Sequence, residues 1–508
     1  MSRVAVATSS QIAADAGAWT AEQGGSAVDA AIAACLVSLI TEPGVVSPAA
    51  GAFITAWPED GDPVTIDGAA EMPGRSAPSE RFGRGALDVE LTYGGGMKTT
   101  VGYGSVATPG GIAGLALAHE RFGRLPWKLL FDPALGHAHD GFPLSQASYN
   151  YLVHTHDGIF GWNPESFEAL HNEDGQLKQP GAPVNVRYLA ESLQAVAHQG
   201  AKTFYDGELG RRIADHVFEH GGLLSHEDMS AYEAILRPAL TADEDDWRVA
   251  SVPAPSMGGA ALTAMLRMMR GHPEDEWSAR EVAFLVDVQS TVLQFRQAFL
   301  DQANDLDLET KRLLTAIDQG ELVEMMQSPS TVHTSSVDAD GLACAITASA
   351  GYGSGIMPPG TGIWLNNCLG EVELNKHGFH ALKPGTRLPS NMAPTIARRS
   401  DGAVIAIGSP GADRITTAIL QTIVNFVRVG MSLEEAVAHP RLHVESVNGD
   451  WQVAYEPGLD MAEVGIPARG FDELNMFFGG VAAVLRDPTR GFFTAADPRR
   501  TGGTAIAG

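Results

Sequence analysis

Apolar and polar positions follow two periods along this chain, and the change of period marks its elements. Residues 26–40 are rich in alanine, leucine, isoleucine and valine, which predicts a buried helix. Ser26 stands where an N-cap would accept from the first turn, and Pro43 forbids continuation. Over 279–302, Val282, Leu285, Val288, Val292, Phe295 and Phe299 recur at three- or four-residue spacing, predicting a long amphipathic helix. Another helix is predicted over 414–429 and stopped by Gly430. Ser432-Leu433-Glu434-Glu435 reads as a capping box that opens a short helix ending before Pro440. Short apolar stretches at 334–338, 342–348, 402–407 and 480–485 predict strands. The first two are joined by Asp338-Ala339-Asp340-Gly341, a turn sequence, so they read as a β-hairpin. Helical runs around short apolar strands predict a layered sheet core clad by helices.

Composition narrows this picture. A chain of 508 residues would ordinarily hold about three domains. No long Ser/Pro/Gly tract, heptad run or short repeat interrupts it, so one large fold is expected. With 44% hydrophobic and 19% charged residues, it can bury a sizeable core. The net charge of −27, from 34 basic and 61 acidic residues, argues against nucleic acid or anionic membrane as a partner. Cys35, Cys344 and Cys368 lie far apart, without the spacing of a disulfide framework or a zinc site. The acidic run Asp243-Glu244-Asp245-Asp246 lacks the glycine-containing spacing of a calcium loop and is read as a solvated turn. The first residues show no charged segment followed by a long apolar one, and no apolar stretch approaches membrane-spanning length, so a cytoplasmic protein is expected. Tyr93-Gly94-Gly95-Gly96-Met97 lacks the ending of a phosphate loop and is read as a flexible loop near the site, a candidate substrate lid.

Thr331 enters the hairpin in Thr331-Val332-His333-Thr334-Ser335-Ser336-Val337-Asp338-Ala339-Asp340-Gly341. A threonine beside a strand is ordinary by itself; its neighbours make it a candidate. The stretch resembles the nucleophile signature of the gamma-glutamyltranspeptidase family of N-terminal nucleophile hydrolases. Further landmarks follow in that family's order: Gly24-Gly25-Ser26-Ala27-Val28-Asp29, Thr108-Pro109-Gly110-Gly111, Phe204-Tyr205-Asp206-Gly207, Asn366-Asn367, Ser390-Asn391-Met392-Ala393-Pro394, Gly408-Ser409-Pro410-Gly411 and Ala496-Asp497-Pro498-Arg499-Arg500.

The resemblance implies an α+β fold, the four-layer αββα sandwich. It implies self-cleavage between Ser330 and Thr331, giving a large segment 1–330 and a small segment 331–508 within one intertwined fold. Residues 319–330 read as a tail able to move aside. Thr331 would then be an N-terminal nucleophile whose own α-amine is the base. Ser349 would orient that amine, and the backbone N–H groups of Gly411 and Ala412 would receive the oxyanion. His333, two residues on, shares the strand face of Thr331 and is read first as a core histidine. No metal or organic cofactor is implied. The expected partners are a small-molecule amide, and water or an amine as acceptor; the oligomeric state stays open.

The departures from the family pattern fall on substrate recognition. The arginine that grips a glutamyl α-carboxylate, in a stretch like Asp-x-Arg-Glu-x-Ala-Pro, is missing from Asp67-Gly68-Ala69-Ala70-Glu71-Met72-Pro73. Nothing in the sequence moves Arg75 into its place. The stretch that holds the amino group reads Asn366-Asn367-Cys368-Leu369-Gly370-Glu371, with cysteine for glutamine. Gly351 stands for an asparagine, and Ser390-Asn391 for a serine pair. Asn367, Cys368, Glu371, Ser390 and Asn391 are therefore the candidate substrate-binding residues. Three functions stay open: an amidohydrolase or acyltransferase with altered acyl specificity, a genuine γ-glutamyl hydrolase or transferase, and an uncleaved scaffold of the same fold.

Overall fold

A computed structural model describes residues 3–91, 97–273, 276–319, 331–372, 374–447 and 449–508. Ser330, most of the 319–330 tail and residues 93–96 of the glycine-rich loop lie outside this set. Among the described residues the strands form two large sheets. The first has the order Gly503–Ala507, Val4–Thr8, Val332–Asp338, Ala343–Ser349, Gly51–Trp57, Val64–Gly68, Ile235–Pro238. The second has the order Gly491–Ala496, Ala482–Asp487, Val404–Gly408, Thr395–Arg399, Trp247–Ser251, Leu240–Glu244. Strands from both sides of residue 330 are neighbours in each sheet, so neither segment could complete a sheet alone.

Strand alternation assigns the faces. Val4 and Val6 pack beneath the helices Gln11–Glu22 and Ala27–Thr41, with Ala21, Ala30 and Ala34. Ala5 and Ala7 point the other way and meet Val337, Ala343, Ala345, Ile396, Val404, Ala406, Ala482 and Val484 between the sheets. Most of these inner residues are alanine or valine, so the sheets approach closely. The outer face of the second sheet is covered by Met257–Met269 and Arg414–Val427. Helix, sheet, sheet and helix follow in turn, which is the expected αββα sandwich.

Local chemistry explains the element ends. Ser26 and Asp29 form a reciprocal capping box, and so do Ser432 and Glu435. Asp338 organises the hairpin turn: its carboxylate accepts from Ala27 N at 3.1 Å and Leu342 N at 3.1 Å. Gly341 closes the turn at φ 83°, a conformation that favours glycine. The helix expected over 279–302 is Ala279–Phe295, and a π-type turn Arg296–Leu300 follows it. The wider turn lets buried Arg296 pair with buried Asp301 at 3.0 Å, and it rotates Phe299 outward to 37% exposure. Ion pairing thus ended a helix that apolar spacing continued. The acidic run is a hairpin turn, yet Glu244 is buried and paired with Arg428 at 2.8 Å, so only part of it is solvated. No helix among the described residues is long and apolar enough to cross a membrane.

Candidate active site

The central hairpin positions the candidate nucleophile. Val332 is registered with Ala348 and His333 with Thr347. Extending that antiparallel register by one residue places Thr331 opposite Ser349, which is itself paired with Gly51 on the next strand. Thr331 and Ser349 line the same narrow cleft, and both are buried. The Ser349 hydroxyl accepts from Gly351 N at 3.1 Å, which fixes its rotamer.

His333 takes a structural role. Its Nδ1 lies 2.8 Å from Thr347 Oγ1 and its Nε2 2.7 Å from Ser335 Oγ, so both ring nitrogens are bonded to hydroxyls. Burial pushes its pKa down to about 3, so the ring stays neutral in the working range. The ring occupies the space that a side chain at Gly408 would need: a Cβ there would lie 2.3 Å from the imidazole. That contact accounts for the first glycine of Gly408-Ser409-Pro410-Gly411.

The second sheet supplies the oxyanion candidates. Gly408 ends a strand, and Asp413 immediately precedes the helix Arg414–Val427 without a side-chain capping bond. Gly411 at φ 125° and Ala412 at φ 70° form the link. A Cβ on Gly411 would lie 2.8 Å from the Gly479 backbone, so position 411 admits only glycine. Among the described residues neither N–H donates to another backbone group. Both lie at the positive end of the helix dipole, which favours a developing negative charge. Ala412 carries a side chain where left-handed backbone costs about 1 kcal/mol. Ala412→Gly is therefore expected to raise the unfolding free energy, read from denaturant titration, by up to about 1 kcal/mol with turnover retained; lower stability would contradict the strain.

Four of the five candidate substrate residues line the cleft with Thr331: Cys368, Glu371, Ser390 and Asn391. Asn367 does not. Its Oδ1 accepts from Tyr352 N at 2.6 Å, and its Nδ2 donates to Thr99 Oγ1 and Thr100 O at 3.1 Å each. These bonds tie loops together, and among the described residues Asn367 is not part of the cleft wall. Asn366 likewise ties Ala49, Ala107 and Cys368. Gly351 leaves room here, since a Cβ would fall 2.3 Å from Asn367 Oδ1 and 3.1 Å from Glu371. Burial pushes the Cys368 thiol well above its usual pKa, and neighbouring Glu371 adds to this, so Cys368 is a neutral wall residue.

The other walls are Gly51, Ala69, Ala70, Leu374, Leu388, Pro389 and Met392. Ala69 stands at the position of the missing arginine. The nearby arginines are spent elsewhere. Arg75 pairs with Glu71 at 3.0 Å and Asp228 at 3.4 Å, Arg237 with Asp67 at 2.8 Å, and Arg387 with Glu71 at 3.3 Å. No described residue lining the cleft is cationic, and the residues outside the described set include no lysine, arginine or histidine.

Thr331 also borders a second, narrow cavity that sequence reading did not identify. Glu42, Ser9, Tyr151, Pro410 and Arg500 contribute to its wall. Burial pushes the Glu42 carboxyl up to about 7, against the opposing pull of Ser9, Arg500 and Ser38. The Ser9 hydroxyl donates to Glu42 Oε1. The landmark ending in Arg500 was the available signal for this wall, but no local pattern linked it to Glu42.

Comparison with known proteins places this geometry. The family described as Gamma-glutamyltranspeptidase matches residues 13–507. The glutathione hydrolase proenzyme of Escherichia coli (strain K12) is 27% identical, with 97% of this chain and 89% of that protein covered. The acylase ACY 1 proenzyme of Pseudomonas sp. (strain SE83) is 29% identical, with 100% and 94% covered. A crystal structure of cephalosporin acylase from Bacillus halodurans shares the fold at TM-score 0.78 and 24% identity, covering 99% of this chain and 96% of that one. The chain belongs to the gamma-glutamyltranspeptidase family, and is an enzyme of that family built on the N-terminal nucleophile hydrolase sandwich.

Proposed function

We propose that this enzyme is a self-processing amidohydrolase with Thr331 as nucleophile, and that its acyl specificity has moved away from standard γ-glutamyl amides. In the uncleaved chain the Thr331 nitrogen is an amide and cannot act as a base. Attack of Thr331 Oγ on the Ser330 carbonyl would give an ester, and water would release segments 1–330 and 331–508. The new α-amine, with a reference pKa of about 7.7–8.0, can then take the hydroxyl proton. Thr331 Oγ attacks the substrate carbonyl, and Gly411 and Ala412 N–H receive the oxyanion. The C–N bond breaks as the α-ammonium returns its proton to the leaving amine. Water, or a second amine, resolves the ester. Ser349, across the ladder, orients the amine. The relatives named as proenzymes support processing.

The observation that carries the specificity reading is the cleft wall. Ala69, Ala70, Leu374, Leu388 and Met392 are apolar, and Glu371 is the acidic group among them. A glutamyl α-carboxylate would lose water there beside an acid and without a cation, at a cost of about several kcal/mol. An acyl chain carrying an amino or neutral polar group meets no such penalty. The test compares γ-glutamyl-p-nitroanilide with 4-aminobutyryl-p-nitroanilide, which differs only by lacking the α-carboxylate. The expected kcat/KM favours the latter by at least about tenfold, or 1.4 kcal/mol. A preference for the γ-glutamyl compound would restore the genuine γ-glutamyl reading.

A further inference from the structure

Away from the cleft, three potential ligands converge where two short elements meet. The helix Gln146–Leu152 is followed by a π-type turn, His156–Phe160, and then by the helix Pro164–Leu170. His171 ends that last helix. Its ring stacks on Phe167 at 4.0 Å between centroids, and its Nδ1–H donates to Phe167 O at 2.9 Å. That bond sets the tautomer and leaves the Nε2 lone pair pointing outward. Facing it is His156 Nδ1, at 2.9 Å. Asp157 Oδ1 lies 3.3 Å from the same His156 nitrogen. All three ligand atoms fall within 4.8 Å of one another.

We propose that His156, Asp157 and His171 form a divalent-cation site of the zinc type. Three acceptors converging on one point are held together either by a shared proton or by a cation. Ligand atoms about 2.0–2.1 Å from a tetrahedral zinc ion lie roughly 3.3 Å apart; His156 and Asp157 already stand at 3.3 Å, and the two histidines, hydrogen-bonded at 2.9 Å, would open by a few tenths of an ångström to admit the ion. Two neutral imidazoles and one carboxylate suit zinc, with water in the fourth position. The Phe167 carbonyl is the outer-shell partner that such histidines use. Lys178, which lies on the adjoining segment, is tied to Ala169 O at 2.8 Å. Asp157 is exposed, so an ion can enter from solvent. Sequence spacing gave no warning, because the histidines lie 15 positions apart and meet only through the helix between them.

The role that follows is structural. The turn and helix buttress the segment after Ser349. Ile159 and Phe160 close over Gly355 and Gly353, and Ser166 Oγ donates to Gly355 O at 2.7 Å. A cation joining His156 to His171 would lock that buttress without touching reacting atoms.

The test uses the full protein, stripped with chelator, dialysed and titrated with Zn²⁺ by calorimetry, with Co²⁺ absorption reporting geometry. One equivalent is expected, with a tetrahedral cobalt spectrum and a raised melting temperature. His156→Gln and Asp157→Asn, both at least partly exposed, should lose that equivalent and the thermal shift while keeping amide turnover. His220→Gln controls for uptake by the histidine pair at 216 and 220 and should change nothing. No uptake by the parent, or equal uptake by parent and His156→Gln, overturns the site. These readouts are independent of acyl preference.

Discussion

Thr331→Ala is expected to remain a single chain of 53.6 kDa and to lose amide turnover by a factor on the order of 10⁴ to 10⁶. Both effects come from one atom, because Oγ would cut the precursor and later attack the substrate. The alanine chain should still fold: Thr331 lies just before the strand, and the ladder begins with Val332. Intact mass under denaturing conditions reads the first effect. Two masses matching 1–330 and 331–508 are expected from the parent and one mass from the variant. Thr331→Ser should cleave and work slowly, since it keeps the hydroxyl but loses the methyl that restricts its rotamer. A Thr331→Ala protein that is cut and active would sink the assignment. A parent that stays whole would favour an uncleaved scaffold.

The second large effect concerns stability. Arg499→Ala is expected to cost about 3–5 kcal/mol, read from the denaturant midpoint, because it breaks a fully buried charge network. Arg499 pairs with Asp497 at 3.1 Å, while Arg441 holds the other Asp497 oxygen at 2.7 Å. Its Nε donates to Glu456 Oε1 at 2.7 Å. These side chains are at most 1% exposed, so removing one cation strands the carboxylates without water. Burial pushes the Asp497 pKa up, but Arg441 and Arg499 more than offset this and hold it below the usual range. A depressed carboxylate stabilises the fold above its unfolded pKa of about 3.9, and that contribution fades as pH falls through the folded value. Arg499→Ala should therefore begin acid unfolding at higher pH than the parent. Arg499→Lys should recover only part of the loss, since an ammonium lacks the two-pronged fork. Unchanged stability in the alanine variant would contradict this account. Asp497 and Arg500 also wall the cavity beside Thr331, so looser packing here should lower turnover too.

The hairpin that carries the candidate nucleophile was legible because its turn is local. The turn at 338–341 joins the two strands, and the register of the folded hairpin then puts Thr331 opposite Ser349, a pairing the sequence offered only through the family resemblance. Ser26 and Ser432 declared their helices because each sits three residues before the acid that completes the capping box. The absence of the arginine was equally plain, since Ala69 carries no charge. Other readings needed the chain in space. Nothing in the sequence shows that Asn367 makes three hydrogen bonds to loops from distant parts of the chain. Periodicity continued the helix past 295 because apolar spacing does not show where a buried Arg296–Asp301 pair will open a turn.

By itself, the sequence carried the ordered motifs of the family, and through that resemblance the sandwich, the candidate nucleophile with its hydroxyl partner, and the missing arginine. Short-range rules set only the local elements: alternation, caps and turn residues gave the helices, the strands and the hairpin. Tertiary structure alone decided that Glu42 shares a cavity with Thr331, that His333 is a neutral wedge over Gly408, and that His156 faces His171. Those facts depend on which surfaces meet when two sheets and their helices pack, and burial then sets the charge state of each group. Residues hundreds of positions apart become neighbours there, and no local pattern records the meeting.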